Sequence, residues 1–190
     1  MILKFALGVW CSCYPRAAED DGIVISEFCN FKMSVMKTFE YITAKPIHLP
    51  GLITKAHHPA AGAVVVFSGE TRNHSHGREV IYLDFEAYEQ MAAGMIAELL
   101  MEAKEKWNLS IAMAQHRIGR VNVCEPAVVV ITAATHRKEA YIANRYIIDK
   151  IKHTIPIWKA EYFIDGSSEW GGNCNCHKIT GDLNKHVYEV

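Results

Sequence analysis

The sequence predicts a single α+β domain in which an antiparallel or mixed sheet packs with two long helices. Three observations predict it. Gly62 to Gly69 and Ala127 to Ala134 are apolar, β-branched runs of strand length, as buried strands require. Tyr88 to Trp107 and His136 to His153 place apolar residues at three- and four-residue spacing, the period of an amphipathic helix. Strands and helices interleave without a linker or an internal repeat. A chain of 190 residues that is 50% hydrophobic has enough apolar surface for one sizeable core and no room for two large ones.

Taken in order, Phe39 to Thr43 reads as a short strand and Leu49 to His58 as a short helix entered through Pro50-Gly51. Gly62 to Gly69 follows as a buried strand. Glu70 to Arg78 is polar and reads as a loop holding Asn73, His74, Ser75, His76 and Gly77. Val80 to Ala87 alternates Val80, Tyr82, Asp84 and Glu86 against Ile81, Leu83, Phe85 and Ala87, a strand with one polar side. In the first long helix, Met91, Met95, Ile96, Leu99, Leu100, Ala103 and Trp107 form the apolar face, slightly weakened by Gly94. Ile111 to Arg117 is a strand, Ile118 to Pro126 a connection, and Ala127 to Ala134 the second apolar strand. The second long helix aligns Ala140, Ala143, Ile147 and Ile151 on one face. Pro156 bars further helix, Ile157 to Ile164 closes the domain as a strand, and a polar, Gly/Asn-rich tail starts at Gly166.

Composition excludes several classes. Lys plus Arg (20) and Asp plus Glu (21) nearly cancel to a net charge of −1, so the chain has no global field for nucleic acid or an anionic membrane. No apolar run approaches the ~18–20 residues of a membrane span. Five of the six cysteines crowd toward the ends and make no disulfide framework, which favours a cytoplasmic setting. Residues 1–32 read as a disordered extension or an upstream-start artefact. Ile2 to Trp10 is apolar but interrupted by Lys4, with no convincing cleavage site for a signal peptide, and Met33 and Met36 each precede a segment that already reads as folded. The domain is expected over residues 36–170, with a polar tail over 171–190.

Fixed cations gather at the ends of the buried elements. Thr135 is placed to cap the second long helix, which would put His136 and Arg137 on its first turn, where free N–H groups and the helix dipole favour an anion. An arginine fork adds bidentate recognition of phosphate or carboxylate. Lys152 and Lys159 flank the proline-marked helix end and can converge where the chain reverses. Two convergent ammonium groups depress each other's pKa, and a lysine tuned toward neutrality can act as nucleophile or proton carrier. The bland reading is a surface helix cap and two solvated lysines; Trp158 between them reads as core. Arg72, closing the strand in Gly69-Glu70-Thr71-Arg72-Asn73-His74, adds a further cation.

Helix geometry then constrains the site. Arg137 and Lys152 are 15 residues apart, about 22 Å along one helix axis. A ligand touching both would have to be long, or the two ends must serve different copies of the pocket, which favours a homodimer whose site takes His136 and Arg137 from one subunit and the lysines from the other. Zinc is set aside: Cys11-Ser-Cys13 and Cys174-Asn-Cys176-His177 lack the usual ligand spacing, so neither metal nor cofactor is expected. His57-His58 and His74-Ser-His76 read as loop histidines, and Cys124 is the one cysteine inside the domain.

With those residues in view, the chain resembles a known family. Gly62-Ala-Val-Val-Val-Phe-Ser-Gly-Glu-Thr-Arg-Asn73, Asp84-Phe-Glu-Ala-Tyr88, His116-Arg-Ile-Gly119, Thr135-His-Arg137 and Lys152 to Glu161 are similar, in order and spacing, to the large, catalytic subunit of molybdopterin synthase. The resemblance runs from Phe39 to Trp170. It implies a hammerhead-like α+β fold and conversion of cyclic pyranopterin monophosphate to molybdopterin by addition of two sulfurs as a dithiolene. The sulfur would arrive on the C-terminal Gly-Gly thiocarboxylate of a small ubiquitin-like subunit, whose tail threads into the large subunit's pocket. Two large subunits would form a dimer flanked by two small ones. Carried over, Lys152 and Lys159 become the catalytic pair, and Arg72, His136 and Arg137 bind the anion and the pterin. Glu70, Thr71, Ala160 and Glu161 flank these matches as further substrate contacts, and Phe67 would pack beside the tail. Delivery of sulfur by a partner also explains why no cysteine stands at a motif position. The chain departs from bacterial relatives after Trp170, where Gly171-Gly-Asn-Cys174 replaces a further arginine. The competing readings are a non-catalytic pterin-binding or scaffold module of the same fold, a thiol sulfurtransferase using Cys124, and a zinc-dependent interaction protein using the tails.

Overall fold

Two sheets meet around a pair of long helices in the computed structural model, which describes residues 40–172. The expected extension, Phe39, the paired cysteines near each end and the tail beyond Gly172 lie outside the described residues. The first sheet has the order β1 (Ile42–Thr43), β5 (Ile111–Arg117), β7 (Pro126–Ala134) and β2 (Ala63–Glu70). β1 runs parallel to β5, while β5, β7 and β2 are antiparallel neighbours, so the sheet is mixed as predicted. The second sheet takes β3 (His74–Ser75), β4 (Arg78–Ala87), β8 (Ile157–Phe163) and β9 (Ser168–Gly172) in that order, with β6 (Gly119–Asn122) also paired to β4. Three helices complete the domain: α1 (Leu49–Lys55), α2 (Glu89–Lys106) and α3 (Arg137–Thr154).

The apolar faces read from the sequence form the core. α3 buries Ala140, Ala143, Ile147 and Ile151 against β7 and β2, and α2 buries Ile96, Leu99, Leu100 and Ala103 beside them. The burial pattern of β7 is nearly continuous because helices cover one side and α1 packs on the other, over Val129 and Ile131. One polar residue locks α3 in place. Asn144 is buried in the helix–sheet seam, and its amide donates to the carbonyls of Val65 (3.2 Å) and Val130 (3.1 Å). Thr132 in turn donates its hydroxyl to the Ala140 carbonyl at 2.8 Å. These bonds have direction, so they fix the rotation and height of the helix where apolar packing alone would allow sliding.

The structure corrects several sequence expectations. α1 ends at Lys55, short of His58. The loop at Glu70 to Arg78 contains a tight hairpin: His76 (φ 50°) and Gly77 (φ 78°) form its two-residue turn, and β3 pairs back on β4. Positive φ at both positions is what a hairpin turn of matching twist demands. The connection at Ile118 to Pro126 contains β6, and the tail contains β9, each too short and polar to carry a strand signal alone. Thr135 does not cap α3. His136 holds the cap position with extended backbone, and no side chain satisfies the first N–H groups. A register shift between Val80 and Tyr82 breaks the simple alternation of β4, turning Val80 inward and leaving Ile81 exposed. Met91, placed on the core face of α2, is 59% exposed, and Trp158, read as core, is 40% exposed and stacks edge-on with Tyr88.

Candidate functional site

The C-terminal end of α3 brings Lys152 toward Lys159 on β8 and Arg72 after β2. Pro156 makes this happen. It ends the helix after Thr154, leaves Ile155 extended, and turns the chain directly into β8 alongside β4. Lys152 is half-buried, and its pKa lies below the ordinary lysine value. Burial is the first cause, the Lys159 charge the next, and Arg72 adds to both, against an opposing pull from Asp149. Its ammonium sits 6.0 Å from the centre of the Phe67 ring, so an apolar wall faces it on the β2 side.

Lys159 is held differently. Its ammonium donates to Glu161 Oε1 at 2.6 Å, with both side chains largely shielded from water. Burial alone would raise the Glu161 pKa, but bonds from Lys159 and Ser75, with the charges of Lys159 and His76, hold it below the usual value. The pair therefore has one lysine with a fixed counter-ion and one without an equivalent carboxylate contact among the described residues. Glu161 acts here as the partner of Lys159. Ala160 lies fully buried between them and, by strand alternation, on the opposite face, so only its backbone is available to the site. Glu70 is exposed and accepts from the Ser68 hydroxyl. Thr71 is buried with its hydroxyl unpartnered among the described residues, its backbone clamped to the turn before β7 by bonds to Glu125 and Cys124.

His116 belongs beneath this cluster, although the sequence marked it only as part of a motif. It is almost wholly buried at the end of β5 and packs edge-on against Phe85, 5.1 Å between ring centres. Phe85 is the cross-strand partner of Lys159. Nδ1 lies 2.8 Å from the Arg117 carbonyl, which fixes it as the protonated nitrogen. Burial lowers its pKa to about 4, opposed by that hydrogen bond and helped by the Lys152 charge. A histidine between Gln115 and Arg117 at the polar end of a strand gave little signal of its burial. Ser75 was hidden in what read as a loop.

His136 and Arg137 stand at the other end of α3, exposed at its N-terminus, as the helix arithmetic required. Beside them lies a cavity of about 350 Å³ lined by Trp107, Asn108, Ala134, Thr135, His136 and Glu139. The lysine cluster and the His136–Arg137 pair thus stand at opposite ends of the 18 residues of α3. No group of three or more metal-ligating side chains occurs among the described residues.

Fold and site together define an α+β protein with a lysine pair at one end of a central helix and exposed His136 and Arg137 at the other. Comparison with known proteins gives the family: the profile described as "MoaE protein" matches residues 42–154. The chain is 43% identical over 136 residues to the molybdopterin synthase catalytic subunit of Thermoplasma volcanium, covering 72% of this chain and 99% of that one. The catalytic subunit from Bacillus subtilis is 42% identical over 138 residues, covering 73% and 87%. Among solved structures, molybdopterin synthase from Staphylococcus aureus superposes with a TM-score of 0.67 at 40% identity, covering 72% of this chain and 98% of that one. This chain belongs to the MoaE protein family, that of the molybdopterin synthase catalytic subunit.

Proposed function

We propose that the chain is the catalytic subunit of a molybdopterin synthase. It moves sulfur from the C-terminal thiocarboxylate of a small ubiquitin-like subunit to cyclic pyranopterin monophosphate. The observation that carries this reading is the half-buried Lys152, shifted toward neutrality between Lys159 and Arg72. Sulfur attack on a pterin carbon needs a departing oxygen to be protonated and the cyclic phosphate to be gripped. Lys152 moves the proton, and Lys159, Arg72, His136 and Arg137 hold developing or fixed negative charge. Phe67 walls the lysine and excludes water from one side. The chain acts in the cytoplasm as a homodimer, each site combining the lysines of one subunit with His136 and Arg137 of the other. The distance along α3 supports that pairing.

Reconstitution tests it: the purified chain, a thiocarboxylated small subunit and the cyclic pterin, with molybdopterin as the readout. Wild type forms product, and Lys152→Ala loses activity on the order of a hundredfold or more, as loss of a proton-transfer group entails. A complex with the small subunit but no product would leave a non-catalytic pterin-binding module. Equal product from both proteins would move the catalytic assignment to Lys159.

A further inference from the structure

The cavity at the head of α3 holds two polar atoms that the fold leaves unused. Trp107 is only 4% exposed, yet its indole N–H has no acceptor among the described residues. Glu139 Oε2 is buried and likewise unpartnered. Both residues line the same cavity, together with Thr135 and His136. Buried polar atoms without partners cost stability unless something else satisfies them, so a donor and an acceptor at one cavity point to a polar ligand.

Each residue is held for the purpose. The Trp107 ring is fixed edge-on against Tyr146, 4.9 Å between centres, with the Lys106 ammonium 4.8 Å from the ring centre. Tyr146 is itself anchored by donating to Glu102 at 2.6 Å. Glu139 sits on the first turn of α3, where the unsatisfied N–H groups and helix dipole favour a carboxylate. The volume falls at the small end of the roughly 300–1,000 Å³ typical of ligand sites, suited to a flat bicyclic ring and not to a larger cofactor.

We infer that this cavity seats the 2-amino-4-oxopyrimidine edge of the pterin, with Glu139 accepting its N–H groups and Trp107 donating to a ring acceptor. The 2-amino group and the neighbouring ring N–H point the same way, a two-pronged donor that matches a carboxylate as a guanidinium does. The phosphate end of the same substrate then lies toward His136 and Arg137, at the adjoining helix N-terminus. Glu139 and Trp107 are thus the residues that choose a pterin over other planar phosphates. This inference rests on the synthase reading, because it assigns the orientation of that reading's substrate.

Calorimetric titration of the full chain, without the small subunit, separates the two. The probes are the cyclic pterin monophosphate, free pterin, and lumazine, which carries an oxo group in place of the 2-amino group. Wild type should prefer pterin to lumazine. Glu139→Gln should weaken the cyclic pterin by roughly ten- to a hundredfold, the range for losing a charge-assisted hydrogen bond, and abolish the preference. Trp107→Phe keeps an aromatic ring but removes the N–H, and should weaken binding less. If that variant fails to fold, Glu139→Gln decides alone. Unchanged affinity and preference in Glu139→Gln, in a preparation whose wild type forms molybdopterin, would overturn the inference and leave the function standing. A wild type that neither binds the cyclic pterin nor forms product would overturn both.

Discussion

His116 shows how a single side chain can serve the site and burden the fold. The unfolded chain binds a proton there below about pH 6.5, whereas the folded chain refuses it until about pH 4. The unfolded state therefore holds more protons throughout that window, and stability is full above it and falls as the pH drops toward 4. The loss reaches about 3 kcal/mol for this group. Urea denaturation across that range should show the slope, and His116→Gln, which can still donate to the Arg117 carbonyl but does not titrate, should flatten it. An identical slope in the variant would assign the effect to other groups. At this scale the sequence was legible where chemistry shows in residue type. Lys152 and Lys159 could be placed near one another from Pro156 alone; burial is the first cause of the lowered pKa of Lys152, and the Lys159 charge the next. What could not be read was the unequal setting of the two. The Glu161 partner of Lys159 depends on side-chain placement, and the burial of His116 depends on Phe85 from a different sheet.

Among the elements, α3 carries the most consequence. Its apolar face was plain in the spacing of Ala140, Ala143, Ile147 and Ile151, but Asn144 broke that pattern and its use was invisible. Only the structure shows its amide spanning two strands. Asn144→Ala removes the amide's bonds to the Val65 and Val130 carbonyls and to the Thr132 hydroxyl oxygen, so unfolding stability should fall by about 2–3 kcal/mol in denaturant titration. Asn144→Asp should fall further at neutral pH, since a carboxylate meets carbonyl oxygens with no proton to offer. If Asn144→Ala is as stable as wild type, apolar packing alone sets the helix. The elements missed were β3, β6 and β9, for one reason. Short polar segments become strands when a neighbouring edge offers hydrogen bonds, and β4 and β8 are such edges. The turn at His76 and Gly77 belongs with them, because its positive φ values carry only a weak mark in a His-Gly pair.

For the whole molecule, the proposed dimer is what would join the two charge clusters of α3 into one site. Lys152 and Arg137 sit at opposite ends of α3, an 18-residue helix about 27 Å long. A dimer in which each site draws on both subunits can be tested by mixing. Lys152→Ala and Arg137→Ala should each be nearly inactive as pure dimers. A mixed dimer holds one doubly defective site and one wholly intact site. After random exchange of equal amounts, activity should return to about a quarter of wild type, since half the two-fold dimers are mixed and each has one good site. No recovery after exchange, verified by mass-tagged subunits, would place both ends of the helix in separate sites. The general fold and the two charge clusters at opposite ends of α3 were legible from spacing. The cavity beside Trp107 was not, because it forms where the end of one helix meets the start of another far along the chain.

The length of α3 also has a meaning for inheritance. In the proposed dimer, two damaged alleles, one altered at each end of this helix, would rescue one another in the same cell. Two alleles altered at the same end would not. A genetic complementation map of the gene should therefore fall into two groups, divided along the axis of a single helix.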